Sequence, residues 1–327
     1  FFETGALLPP SAVPYCNDDE YLSGCLNMAQ DLGRYCVNRA CENDFDSVML
    51  ARRLLEQLNG KMLEFDFRNG PLRRKYDGLK YALKLVEDIV FEASLVNTTE
   101  EQAVQQDAKR QRLMETEMLP IADFDAIKSR LDKIDALRED VIKKSRDVQK
   151  LSKQAIFSMH RGQESDAGAK LNTCKELAVA IFDLAVTSHP HLRSGAFSNC
   201  IEEWGEGVLF LEWVKNRRIM GIHEMGIINS TEYVGALSDF TGEIGRLGVA
   251  AASKRDVSTV YAILQTMISV ATGLMQLDSG GRFNKKTEAV FVNLKKMEDI
   301  YYELNLLQKG GKSGNISSRD EPPADGN

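Results

Sequence analysis

The chain has 327 residues, which is long enough to bury a hydrophobic core in one large domain or in two smaller ones. Its 48 acidic residues outnumber its 41 basic residues, so the net charge is −7 and the pI is about 5.4. This balance excludes a globally basic nucleic-acid-binding protein, and any contact with nucleic acid must use a local basic patch.

The cysteines and the apolar runs bear on the cellular compartment. The six cysteines form no CxxC pair and no cluster with histidine, so we expect reduced thiols. The most apolar run, 261–277, is interrupted by glutamine, serine, threonine and glycine, so we expect no membrane-spanning segment and no membrane partner. Together these features predict a cytoplasmic location, a nuclear location, or both.

Helical periodicity recurs along the chain, with apolar residues three or four positions apart, and strand signals are absent from the sequence. The predicted fold class is therefore all-α, a multi-helix bundle. The predicted helices span about residues 19–37, 45–65, 72–95, 124–159, 164–187, 195–218, 230–250, 254–277 and 284–308.

Two polar stretches interrupt these helices. Residues 98–117 are rich in Gln, Glu and Lys without a sustained apolar stripe, which is typical of a linker. Residues 310–327 are rich in Gly, Ser, Pro and Asp, which predicts a disordered tail. The predicted domains are therefore 1–97 and 118–309, on either side of the linker.

The chain contains an internal repeat. Glu20 aligns with Glu232, Leu32-Gly33-Arg34 with Ile244-Gly245-Arg246, and, after one deletion, Val86-Glu87-Asp88-Ile89 with Met297-Glu298-Asp299-Ile300. Residues 16–96 thus resemble the C-terminal half of the unit that 118–309 contain whole.

Half a unit has a physical consequence, because three amphipathic helices without covering helices expose apolar faces. We expect these faces to pair with the second copy or with another chain, which predicts self-association or assembly with similar subunits. The alternative is that the missing helices lie upstream of the first residue.

Two carboxylate pairs stand out in the second copy. Glu203 and Glu206 are three residues apart, and Asp239 and Glu243 are four apart, so each pair lies on one face of a predicted helix. Four acids facing an interior would repel one another unless a cation lay among them. The pattern favours a hard divalent cation, Mg²⁺ or alternatively Mn²⁺. Either pair alone is also typical of a solvated helix face or of an ion-pair network.

Several ordered motifs resemble the translin and TRAX family. In the first copy, residues 73–81 (RRKYDGLKY), with Tyr21-Leu22-Ser23-Gly24 and Val37-Asn38-Arg39 before them, resemble the C-terminal half of translin. Residues 118–309 resemble the whole of TRAX. The motifs that carry this second resemblance are Arg146-Asp147-Val148, 157–161 (FSMHR), 202–206 (EEWGE) and 239–243 (DFTGE).

The resemblance implies a seven-helix unit that assembles with translin-like subunits into a closed, barrel-like octamer enclosing RNA. TRAX-type subunits are Mg²⁺-dependent endoribonucleases that act on single-stranded RNA, in passenger-strand removal during RNA silencing and in the processing of tRNA and other small RNAs. The family's catalytic and metal-binding acids fall on Glu203, Glu206, Asp239 and Glu243.

The first copy lacks this set, because Asn27 and Asp31 occupy the positions of Asp239 and Glu243. We therefore expect it to be a noncatalytic part for RNA binding and assembly. Gly205 and Gly207 lie within the predicted catalytic helix, where they would let a phosphate or a partner backbone approach closely.

Two basic clusters are candidate RNA contacts. They comprise Arg73, Arg74 and Lys75 at a helix start, where positive charge is unfavourable to the helix dipole, and Lys215, Arg217 and Arg218 at a helix end. The latter three also suit the dipole of that end, which is a purely structural interpretation. For His160-Arg161 we favour a helix C-terminal cap over a contact with RNA.

Two other functions compete with the nuclease. A translin-type scaffold would bind single-stranded RNA or DNA without cleaving it, and the acid quartet disfavours this for 118–309. A carboxylate-bridged di-iron bundle would need Glu-x-x-His repeats on facing helices, which the four histidines do not provide.

Overall fold

The computed structural model describes residues 4–68, 70–96, 118–277 and 284–310. Every regular element in these ranges is helical, which confirms the all-α prediction. The predicted linker and the predicted tail from residue 311 onward lie outside the described residues. The described chain divides into two compact units, Phe1–Asp135 and Ala136–Asn327.

The smaller unit is built on three long helices that pack against one another. After a short 3₁₀ turn at Pro10–Ala12 come helices α1 (Asp18–Cys41), α2 (Phe45–Met62) and α3 (Pro71–Val96). Leucines every third or fourth residue fill its core.

A capping box starts α1, in which the Asn17 side chain accepts from the Glu20 N–H and the Glu20 side chain accepts from the Asn17 N–H.

The division between the units falls within a forty-residue helix, α4 (Ile121–His160). Met118, Leu119, Phe124 and Ile127 are buried in the core of the smaller unit. The sequence instead predicted that the larger unit begins at residue 118. The structure differs because the apolar residues at the start of this helix pack onto α1–α3.

The larger unit continues with helices at nearly the predicted positions. The α-helix predicted over 164–187 ends at Ile181 and continues as one π-helical turn, closed by the Thr187 N–H donating to the Phe182 carbonyl. The elements are α5 (Glu164–Ile181), the π turn (Phe182–Val186), a 3₁₀ turn (Pro190–Arg193), α6 (Ala196–Asn216), α7 (Ile222–Met225), α8 (Ser230–Ser253), α9 (Val257–Met275) and α10 (Asn284–Gly310).

The internal repeat is visible in the helix starts. Helix α8 begins with the same capping box as α1, formed here by Asn229 and Glu232. The arginine of each repeat also pairs with the acid one turn before it, Arg34 with Asp31 at 2.5 Å and Arg246 with Glu243 at 2.8 Å. The correspondence between α1 and α8 therefore extends from sequence to side-chain contacts.

Helix α9 is long and apolar enough to cross a membrane by length and composition alone, which the sequence prediction did not anticipate. Its residues Val260, Ile263 and Met267 are buried in the core of the larger unit, where the helix packs against α8 and α10. In this structure one face of α9 is buried in that core. All six cysteines are free thiols, and four of them are buried.

Candidate functional site

The candidate site lies where α6 and α8 pack closely in the larger unit. Gly205 of α6 makes this approach feasible, because a Cβ there would lie 2.7 Å from Ile228 Cδ1 and 3.0 Å from Ala236 Cβ. A Cβ at Gly207 would collide with Leu171 of α5 at 2.8 Å. Both glycines therefore face neighbouring helices, and the expectation that they admit a phosphate or a partner backbone is wrong.

Glu206 is the buried centre of the carboxylate group. Glu206 is only 8% exposed. Its pKa is raised to about 8, and burial of the carboxyl group is the largest cause. The charges of Glu243, Glu203 and Asp239, in that order, raise this pKa further, and Arg246 opposes them. The structure thus brings the four predicted acids within electrostatic range of one another around Glu206.

The other acid of α6, Glu203, is half-buried. Burial raises the pKa of Glu203, while Lys153, whose Nζ lies 3.7 Å from Glu203 Oε2, and the side chain of Gln149 oppose the shift. Lys153 and Gln149 belong to α4, so this helix contributes to the site together with α6 and α8.

Glu243 of α8 is buried and contacts two basic side chains. His160 Nε2 lies 2.6 Å from Glu243 Oε2, and Arg246 lies 2.8 Å from Glu243 Oε1. The interpretation of His160 as a helix cap is therefore wrong, because its ring reaches across to an acid of the site. Arg161 remains outside this contact, with its guanidinium over the ring of Phe157.

Asp239 is the most exposed acid of the four and has a lysine partner. Lys286 of α10 donates to Asp239 Oδ2 at 2.8 Å and also pairs with Glu202. Burial raises the pKa of Glu202, and Lys286 partly offsets this. Glu202 was noticed only as part of a motif, although its adjacency to Glu203 was a usable signal. No sequence motif pointed to Lys286, because it is distant from Asp239 in the sequence.

The residues present fit a hard divalent cation by their chemistry. Carboxylate oxygens are the donors that Mg²⁺ and Mn²⁺ prefer, and an ion would offset the mutual repulsion that disfavours ionised Glu206. Within the described residues, however, no group of three or more His, Cys, Asp or Glu side chains is arranged so that it could hold a metal ion in this conformation. Contacts with Lys286, His160 and Arg246 occupy oxygens that such an ion would need.

The basic residues at the end of α6 lie away from these acids. Arg217 adopts a left-handed conformation (φ 54°) at the helix C-terminus, and its guanidinium stacks over Trp213 at 4.1 Å. Arg218 pairs with Glu212 and Glu224, each at 2.8 Å. Lys215 borders a cavity of about 310 Å³ between α5 and α6. About ten residues of helix, roughly 15 Å, separate this group from Glu206.

The basic residues of the smaller unit lie in the first turn of α3. Lys75 donates to the hydroxyl of Ser23, and Arg73 lies 3.9 Å from Asp77 and stacks over Tyr76 at 5.9 Å. A role in RNA binding for Arg73, Arg74 and Lys75 stays a prediction, as it does for Lys215, Arg217 and Arg218.

One buried ion pair was missed by sequence reasoning. Arg193 Nη2 lies 2.6 Å from Glu232 Oε2, and the Glu232 side chain is fully buried. Ser198 also donates to Glu232, so the acid that caps α8 ties this helix to the start of α6. Glu232 was identified only through the repeat.

Sequence comparison relates this chain to proteins of one family. Residues 13–97 and 136–307 match the sequence model of the Translin family. The chain is 33% identical to Homo sapiens Translin over 85 residues, which cover 26% of this chain and 37% of Translin. It is 32% identical to Gallus gallus Translin over 77 residues, covering 24% and 34%. The chain thus spans about a third of the length of the Translins it matches.

A second group of relatives is matched over a longer stretch. The chain is 20% identical to Translin-associated protein X of Rattus norvegicus over 224 residues, which cover 56% of this chain and 77% of that protein.

Two solved structures share the fold. The crystal structure of apo-NeC3PO has a TM-score of 0.52 at 21% identity, covering 58% of this chain and 100% of NeC3PO. The AfC3PO complex with duplex RNA has a TM-score of 0.50 at 16% identity, covering 57% and 98%. These likenesses confirm the predicted translin-type helical fold.

Proposed function

Because the chain belongs to the Translin family, we propose that its larger unit is a Mg²⁺-dependent endoribonuclease of the translin–TRAX type acting on single-stranded RNA. Passenger-strand removal in RNA silencing and the processing of tRNA or other small RNAs are the proposed roles. The observation that carries the proposal is the grouping of Glu203, Asp239 and Glu243 around buried Glu206.

The four acids would hold the ion, and Mn²⁺ is the alternative to Mg²⁺. When bound, the ion would supply positive charge to a phosphate oxygen and would lower the pKa of a water molecule, the chemistry that phosphodiester hydrolysis requires. The raised pKa of Glu206, about 8, favours its protonated form at neutral pH in the metal-free protein, and a bound ion would favour the carboxylate. Glu203 and Asp239 are the more accessible acids of the four and are therefore the ones that an RNA strand would reach first.

The smaller unit serves in RNA binding and assembly. Asn27 stands at the position of Asp239, so a carboxamide replaces one acid of the quartet in the first copy. The corresponding face therefore lacks a carboxylate that the proposed site requires. Exposed apolar side chains on α3, Tyr81, Phe91 and Leu95, support association with similar subunits.

A noncatalytic scaffold that binds single-stranded RNA or DNA is the second candidate. It is favoured by the contacts of Lys286 with Asp239 and of His160 with Glu243, which satisfy acids of the site without a metal. The AfC3PO structure, which shares the fold, is a complex with duplex RNA. Any test must therefore include a duplex substrate beside the single strand.

A cleavage assay separates the two candidates. Full-length protein is incubated with a short fluorescent RNA, single-stranded or duplex, in Mg²⁺ or in EDTA. We expect cleavage of the single strand in Mg²⁺ only, and loss of cleavage with retained binding in Glu203→Ala and Asp239→Ala. Glu303→Ala, which removes an exposed acid of α10, is the matched control. Wild-type rates in both site variants would exclude these acids as the catalytic site, and binding without cleavage by the wild type would favour the scaffold.

A further inference from the structure

Lys286 places a positive charge inside the acid cluster. Its ammonium donates to Asp239 Oδ2 at 2.8 Å and to Glu202 Oε1. We propose that Lys286 is a resident counter-ion that stabilises the metal-free site and that a divalent cation must displace from Asp239. The inference rests on the proposed function, because it concerns the same metal ion, and it assigns to Lys286 a role in setting metal affinity.

The backbone of Lys286 is fixed beside Asp239. The buried hydroxyl of Ser238, the neighbour of Asp239 on α8, donates to the Lys286 carbonyl at 2.7 Å. Two turns further along α10, Asn293 donates to the hydroxyl of Thr241 at 2.9 Å. These bonds hold α10 on α8 and place the backbone of Lys286 within side-chain reach of Asp239.

Glu202 provides the second anchor for the ammonium. The Glu202 carboxyl group lies against Gly235, where any Cβ would collide with it. The glycine of α8 therefore opens the space in which Glu202 reaches Lys286. Since Glu202 is outside the predicted metal-binding quartet, it can keep Lys286 nearby after an ion has taken Asp239.

The internal repeat offers a comparison within the same chain. Lys75 lies eleven residues before Val86, as Lys286 lies eleven before Met297, so the two lysines correspond. In the first copy Asn27 replaces Asp239 and Ser23 replaces Gly235, and Lys75 donates to the Ser23 hydroxyl. The lysine is thus present in both copies, but among the residues that the structure describes it pairs with acids only where the metal-binding quartet is present.

Electrostatics gives the sign of the effect. An ammonium and a divalent ion compete for the same Asp239 oxygen and repel each other when both lie in the site. Replacing Lys286 by an uncharged side chain removes both effects, so metal affinity should rise. The expected increase is about tenfold, even at a water-like dielectric constant and with roughly 6 Å between the ammonium and the divalent ion. The metal-free protein should meanwhile melt at a lower temperature, because Asp239 and Glu202 lose their partner.

Calorimetric titration of Mg²⁺ into the metal-free full chain tests this directly. The variants are Lys286→Met, Lys286→Gln, which retains a hydrogen-bond donor without the charge, and Lys286→Arg, which retains the charge. Lys285→Met is the matched control, since Lys285 is exposed and precedes Lys286 by one residue. We expect about tenfold tighter binding for the Met and Gln variants and wild-type affinity for Lys286→Arg and Lys285→Met.

The outcomes separate this inference from the proposed function. Wild-type binding with unchanged or weaker binding in Lys286→Met and Lys286→Gln would overturn the counter-ion role and leave the nuclease intact. Equal tightening by Lys285→Met would also overturn it, because a general charge effect would then suffice. Absence of Mg²⁺ binding in the wild type and in every variant would overturn both proposals.

Discussion

His160 Nε2 lies 2.6 Å from Glu243 Oε2, so the last residue of α4 contacts a buried acid of α8. The ring also packs against Phe210 of α6, with centroids 5.0 Å apart. One side chain therefore touches both helices that carry the acid pairs, and it orients Glu243 without itself belonging to the quartet.

His160→Ala should lower the rate of Mg²⁺-dependent RNA cleavage by about 10- to 100-fold, the range typical for partners that orient metal-binding side chains. The measurement is initial cleavage rate against Mg²⁺ concentration. The control is Arg161→Ala, which removes the adjacent residue without touching Glu243. Equal rates for the two variants would show that His160 has no orienting role.

Glu206→Gln should change how stability depends on pH in the metal-free protein. The pKa of Glu206 is raised from 4.5 to about 8 in the folded state, so between these values the folded protein binds more protons than the unfolded one. The contribution of protonated Glu206 to the free energy of unfolding is fully present below about pH 4.5 and is lost as the pH rises through about 8. Wild type should therefore lose stability from near pH 5 to pH 8, and the variant should lose less.

Melting temperatures of both proteins in EDTA at these two pH values provide the test. At pH 8 Glu206→Gln should melt higher, by roughly 2–4 °C for each kcal/mol of relieved repulsion and burial cost. Near pH 5 the difference should shrink, because Glu206 is protonated there in the folded state. A parallel pH dependence in the two proteins would show that Glu206 titrates normally.

Gly205→Ala should destabilise the larger unit although alanine is the better helix former. The new methyl group would meet Ile228 and Ala236, and overpacking of this kind typically costs about 1–3 kcal/mol. Gly273→Ala is the matched control, because nothing lies within 4 Å of its Cβ position in α9. We expect that control to be neutral or more stable, by up to about 1 kcal/mol. Urea unfolding measures both, and stabilisation by Gly205→Ala would disprove the close packing of α6 on α8.

Arg193→Met should destabilise the protein because it leaves the fully buried Glu232 carboxylate without its partner. Breaking one side of a buried ion pair costs about 3–5 kcal/mol. Arg218→Met is the comparison, since its ion pairs are exposed and worth about 1 kcal/mol or less. The double variant Arg193→Met/Glu232→Gln should recover part of the loss. Similar urea midpoints for the two arginine variants would contradict this assignment.

The sequence was most informative where chemistry follows helical spacing. The apolar periodicity predicted the helices near their observed bounds. The spacing of Glu203 from Glu206 and of Asp239 from Glu243 identified the acids that the structure groups around Glu206. The repeat aligned Glu20 with Glu232, and the structure places each of them in a capping box, at the starts of α1 and α8. These features depend on residues within a turn or two of one another, or on direct comparison of two segments.

Contacts between distant segments could not be predicted in this way. His160 meets Glu243, and Lys286 meets Asp239, only because helices α4, α8 and α10 pack together. The same limit explains Gly205, whose close approach to Ile228 depends on tertiary packing and not on the helix that contains it. The boundary near residue 118 was also missed, since Phe124 and Ile127 belong to a periodic pattern that fits either unit.

The most direct test is a crystal structure of the full chain with Mn²⁺, located by its anomalous scattering. We predict a peak within about 2.3 Å of oxygens from Glu206 and Asp239 and from at least one of Glu203 and Glu243, with the ammonium of Lys286 moved off Asp239. An empty acid cluster at saturating Mn²⁺, with Lys286 still on Asp239, would contradict the proposed metal site.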